Sequence, residues 1–158
     1  MIRETIYAAL FARVAACTWA PLSEGGATTW AVSSRKLRHW DDTDKSEMPA
    51  LFTKQVSELE VRQRNLPSKW TLKIELYVYV ATLAQQDKTV IPASQLNPIL
   101  DSIQKALQPQ PSVDQSLERN TLGGLVDECK QAGEILNFEG DLGDLGALII
   151  PVEIVVPN

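Results

Sequence analysis

The order of residues predicts an α+β domain, a mainly antiparallel sheet with two helices packed on one face, and three observations carry that prediction. Residues 69 to 80, KWTLKIELYVYV, alternate throughout: Trp70, Leu72, Ile74, Leu76, Val78 and Val80 point one way, and Lys69, Thr71, Lys73, Glu75, Tyr77 and Tyr79 the other. That period of two gives a strand one buried face. Two further segments space their apolar residues as a helix does, Ile2, Ile6, Leu10 and Val14 near the N-terminus and Leu96, Ile99, Leu100, Ile103 and Leu107 later on. The chain closes on ALIIPVEIVVP, nearly continuous in apolar content, as expected of a strand buried on both sides. The resulting order is helix, two strands, a long strand, helix, two strands, which packs as helices on one face of a sheet.

The elements follow in turn. Helix 1 is expected over about residues 2 to 16, closed by Pro21 and the Gly25-Gly26 pair, which open a loop near 20–28. TTWAVSSRKLR then alternates Trp30, Val32 and Ser34 against Ala31, Ser33 and Arg35, a modest strand signal. HWDDTDKSEMPALFTKQ reads as a polar loop near 40–48 with a proline before a second strand, Ala50 to about Leu59 or beyond. NLPS turns the chain into the long strand, with Pro67 before the ladder rather than inside it. The second helix starts at Asn97-Pro98 as an N-cap and N1 pair, or one turn earlier with Ser94 as cap, and is stopped by Pro109 and Pro111. Residues 108–121 read as an exposed irregular loop. LVDECKQAGEILNFEG is expected to be one strand bent at Gly133, and EGDLGDLGA a turn-rich connection. In the last strand Pro151 removes a ladder donor, so an edge position or a bulge is expected to accommodate it.

At 158 residues the chain fits a single domain, 1–158, long enough to bury a sizeable core without disulfides or metal. Hydrophobic content of 44% and charged content of 22% belong to a folded protein and exclude disorder of the whole chain. A net charge of -5, with no run of Lys or Arg, argues against tight nucleic-acid binding by counterion release. The basic cluster Arg35, Lys36 and Arg38 is followed at once by Asp41 and Asp42. Cys17 and Cys129 lack CxxC spacing and read as free, partly buried thiols. IYAALFARVAAC is interrupted by Arg13 and lacks a basic n-region, so it reads as a helix rather than a signal peptide. With no run of membrane-spanning length, an intracellular protein without membrane contact is expected.

No set of residues spells a reaction, and no enzyme, cofactor or metal is expected. The single histidine, His39, has neither a second His nor a Cys nearby. Ser33, Ser34 and Asp41 or Asp42 around it match no nucleophile pattern. LGGL and GDLGDLG lack the strand-to-helix context and lysine of a phosphate cradle. GDLGD offers Asp141 and Asp144 but not the dozen-residue frame of a calcium loop. Trp70 is expected in the core, Trp19 and Trp30 to pack together over the helix, and Trp40 to be half-covered by its own loop or held for a partner. The outward face of the long strand, with Lys73, Glu75, Tyr77 and Tyr79, is a surface able to pack against protein as well as water.

Taken together, KLRHWDD with PALF a few residues on, LPSKWTLKIELYVYV, VIPASQLNPILDSIQKALQP and NTLGGLVDECKQAGEILNFEGDLGDLGALIIPVEIVV resemble the tail-terminator (tail-completion) proteins of long-tailed bacteriophages. The resemblance covers nearly the whole chain after about residue 29. It implies a structural virion protein at the head–tail junction, assembled in the host cytoplasm. Its homo-oligomeric ring, a hexamer, caps the head-proximal end of the tail tube, ends tube polymerisation and docks the head connector. Its partners would be the tail tube protein and the connector, with DNA passing through the lumen without specific binding. Trp40, Asp41, Asp42, Lys73, Glu75, Tyr77 and Tyr79 would lie at its interfaces. Head-completion proteins of the neck share small size and ring assembly and stand as the alternative, beside a monomeric phage-encoded binding module.

Overall fold

The computed structural model describes residues 2–22, 25–82, 90–140 and 143–157. In chain order the elements are α1 (Arg3–Ala15), β1 (Val32–Ser34), two single 3-10 turns (Trp40–Asp42 and Lys45–Glu47), β2 (Ala50–Val61), β3 (Lys69–Ala81), α2 (Pro92–Leu107), a one-turn α3 (Pro111–Asp114), β4 (Glu128–Gln131), β5 (Leu136–Glu139) and β6 (Leu145–Pro157). The strands form one sheet in the order β1-β2-β3-β6-β4, with β5 paired to the first half of β6. Only β1 runs parallel to its neighbour, so the fold is the mainly antiparallel α+β arrangement that the periodicities predict. Among the described residues no helix is long and apolar enough to cross a membrane.

Both helices lie on the same face. Ile6, Leu10 and Val14 of α1 and Leu96, Ile99, Ile103 and Leu107 of α2 bury against Leu72, Ile74, Leu76 and Val78 of β3 and Leu148, Ile150, Val152, Ile154 and Val156 of β6. Each such side chain contributes about 1.5–3 kcal/mol when taken from water, so this inner layer holds the molecule together. Trp19 and Trp30 stack edge to face with ring centroids 4.8 Å apart, and the Trp30 indole N–H donates to the Val14 carbonyl at 3.1 Å. The pair closes the C-terminal end of α1, as its place beside the first loop predicts.

Several sequence expectations are corrected. The segment 40–48 is not simply an exposed loop: residues 37–49 fold back across the outer face of the sheet, where Leu37, Trp40 and Met48 pack on a second cluster of Ala50, Phe52, Tyr79 and Ala147. Helix α2 begins at Pro92, before either proposed cap, and Pro98 lies inside it. The expected irregular loop 108–121 contains α3, and Asp114 and Asn120 within it are buried. The single bent strand over 126–139 is two strands, β4 and β5.

That break explains the last proline. Strand β6 is interior, and it is buried on both faces only at its start: beyond Leu148 the burial alternates, leaving Ile149, Pro151, Glu153 and Val155 half-exposed on the outer face. Pro151 is therefore neither at an edge nor in a bulge of its own strand. Its carbonyl accepts from Ala132 N–H at 3.1 Å, so the side of the strand on which its own N–H is missing faces the gap between β4 and β5, where no ladder bond is lost. Gly133 makes the gap, with φ +112 and space so tight that a Cβ there would stand 3.2 Å from the Pro151 ring.

Candidate functional site

The outer face of the sheet is built in rows across the strands. At one end lie Ala50, Tyr79, Ala147 and Phe138, then Phe52, Tyr77, Ile149 and Leu136. The charged rows follow, Lys54, Glu75 and Pro151, then Ser57, Lys73, Glu153 and Lys130. Beyond them come Leu59, Thr71, Val155 and Glu128, and farthest from the covering segment Val61, Lys69 and Pro157. A bulge at Val56 shifts β2 by one residue, so its outward positions change parity from Lys54 to Ser57, Leu59 and Val61. Residues 37–49 cover only the first rows. The rest is open, with Leu59 61% exposed in a row otherwise polar at its ends.

The structure divides the sequence-predicted set. Lys73 is exposed, and Glu75 and Tyr77 are half-buried on the open face, with the Tyr77 hydroxyl donating to Glu75 Oε2 at 2.8 Å. Burial, and then the bond to that carboxylate, pushes the Tyr77 phenol up to about 12. Tyr79 is different. It is 4% exposed, and its hydroxyl donates to the Arg38 carbonyl at 3.0 Å, so what covers it is this chain's own segment. Trp40 opens a 3-10 turn in which the Asp41 N–H donates to His39 Nδ1 at 3.3 Å, and its ring half-buries on the Phe52 cluster, leaving Asp41 and Asp42 exposed beside it. Arg38 and Glu47 anchor that segment, Arg38 by bonds of 3.1 Å to both Glu47 carboxylate oxygens and by lying over the Phe52 ring at 5.0 Å. Thus Trp40 and Tyr77 both pack on the Phe52 cluster at one border of the open face, while Lys73 and Glu75 lie within it.

Several residues of this face were not singled out in the sequence. Lys54, Leu59 and Val61 escape because the bulge breaks the alternation of β2. Glu153 carried a signal, as the only charge in the closing strand, at a position that alternates with Val152 and Ile154.

The buried polar groups elsewhere serve architecture. Arg13 on α1 reaches Asp114 with two bonds of 2.8 and 3.0 Å and also donates to Asn120 Oδ1. Asn120 in turn donates to the Leu107 carbonyl at 3.2 Å. Burial alone would push the Asp114 carboxyl up, but the Arg13 guanidinium and the N–H groups of Gln110 and Gly123 outweigh it and hold it at about 2. A hollow of about 630 Å³ beside this clamp is lined by Ala9, Ala12, Ala16, Ala106 and Cys17. Burial pushes the Cys17 thiol up, which suits a packing role rather than a nucleophile. Among the described residues no three His, Cys, Asp or Glu side chains converge as metal ligands. Of the GDLGD pair, Asp141 lies outside the described residues and Asp144 pairs with Lys45.

No protein-family model matches the chain, and the search of curated proteins returned no match.

Proposed function

We propose that the chain is a structural subunit of a phage head–tail junction, forming a hexameric ring that caps the tail tube, ends its polymerisation and docks the head connector. The observation that carries this reading is the half-open outer face of the sheet. It combines exposed Leu59 and Val61, half-buried Val155 and Tyr77, and the charges of Lys54, Lys73 and Glu153 on a rigid platform. Apolar side chains with interspersed charge on regular strands suit a protein contact, which needs area and registration rather than a reacting group. The segment order that resembles tail terminators supports the same reading, and the net charge of -5 suits a ring through which DNA slides without sticking.

The test is removal of the gene from the phage that encodes it, followed by electron microscopy. Overlong tubes without heads are the expected result. Tails of normal length beside heads that leak DNA would favour the head-completion alternative. Normal, infectious particles would refute both and favour the monomeric binding module.

A further inference from the structure

The sheet ends in two open edges. On one side β1 pairs only with Ala50 to Phe52, so β2 from Thr53 to Val61 has no strand beside it among the described residues. On the other side, among the described residues, β5 pairs only with β6. An edge of this length is a template for a further strand. It carries apolar side chains unusual for a surface edge, Val56 at 47% and Leu59 at 61% exposure, and opposite them on the other edge Leu136 stands 43% exposed. Where β1 stops, a hollow of about 260 Å³ opens beside the β2 edge, lined by Tyr7, Leu10, Leu37, Thr53 and Gln55, with Arg35 on its wall.

We infer that the β2 edge of one copy takes the β5 strand of the next copy, so that the ring proposed above closes by continuing the sheet from subunit to subunit. The inference rests on that reading and adds its contact. Three features favour this occupant. First, the strands alternate in direction from β2 through β3 and β6 to β5, so copies related by rotation with a common strand direction bring β2 and β5 together antiparallel. Second, one register matches the faces: Thr53 with Glu139 and Gln55 with Asn137 on the helix-covered side, Lys54 with Phe138 and Val56 with Leu136 on the outer side. The two exposed apolar side chains then cover each other and the two amides face each other. Third, a two-fold pairing of β2 with itself centred on Leu59 would set Glu58 against Glu60, each of them already held by an arginine of its own chain. The contact is thus head-to-tail, the kind that makes a ring when the rotation between copies closes.

The test uses Val56→Cys and Leu136→Cys in the full chain, whose own thiols, Cys17 and Cys129, are buried. Directly opposed antiparallel residues stand about 4.5–5.5 Å apart at Cα, within disulfide reach. The two variants mixed under mild oxidation are expected to give a covalent dimer, while each alone gives none. Gln55→Cys with Asn137→Cys is a second pair that tests the same register should either first variant misfold. A variant that cross-links with itself, or no mixed cross-link from either pair while native mass spectrometry finds a closed ring, overturns the edge contact and leaves the ring reading standing. Wild-type protein that stays monomeric at every concentration overturns both.

Discussion

Replacing Asp114 by Asn tests whether the buried clamp between α1 and the 110–124 segment holds the fold as its geometry says. The side chain of Asp114 is fully buried and that of Arg13 is 9% exposed. Asn keeps the shape but removes the charge, leaving the guanidinium buried without its counter-ion, a loss of about 3 kcal/mol for broken buried pairs. For a domain of this size about 2–4 °C accompany each kcal/mol, so the melting temperature is expected to fall by about 6–12 °C. The same carboxyl gives a pH signature. Its folded value of about 2 lies below the 3.8 of an unperturbed aspartate. The stabilisation is therefore complete above pH 4 and lost as pH falls from about 4 through about 2, on the order of 2 kcal/mol in all. Differential scanning calorimetry of wild type and Asp114→Asn between pH 2 and 7 reads both effects. The variant should show the lower melting temperature at neutral pH and a shallower acid limb. A melting temperature within about 1 °C of wild type at pH 7 would refute the reasoning.

Other perturbations address the sheet. Gly133→Ala is expected to cost about 1–3 kcal/mol, because φ +112 is closed to side chains and its Cβ meets the Pro151 ring; adding Pro151→Ala should recover only the steric part, measurable by urea unfolding. Tyr79→Phe removes the bond to the Arg38 carbonyl and should lower stability by about 1 kcal/mol while hydrogen exchange speeds up across residues 37–49. Trp40→Ala is expected to cost about 2 kcal/mol, below the 3–5 kcal/mol of a fully buried aromatic, since the ring is half-covered. On the proposed junction role, electron microscopy of tails beside thermal unfolding then separates its packing role from attachment: overlong or headless tails with a folded subunit support an interface at Trp40, and normal tails refute it.

Local order fixed much of the fold. The alternation of 69–80 became β3 over Lys69–Ala81, and the stripes Ile6, Leu10, Val14 and Leu96, Ile99, Ile103, Leu107 became the buried faces of α1 and α2, because backbone geometry imposes periods of 2 and 3.6 wherever the chain goes. Which side of an element a residue faces is therefore written in its neighbours. What lies over that side is not. Tyr77 and Tyr79 share one face of one strand and give the same local signal, yet only Tyr79 is buried, because residues 37–49 fold back over its row and stop short of the charged rows. Pro151 reads as a fault in a buried strand until the break at Gly133 is set opposite it. Arg13 and Asp114, 101 residues apart, are an unremarkable helix cation and a loop carboxylate in sequence. Only the packing of α1 against the 110–124 segment removes both from water and makes them a clamp, since the strength of an ion pair depends on the solvent excluded around it, a property of the assembled fold rather than of either residue.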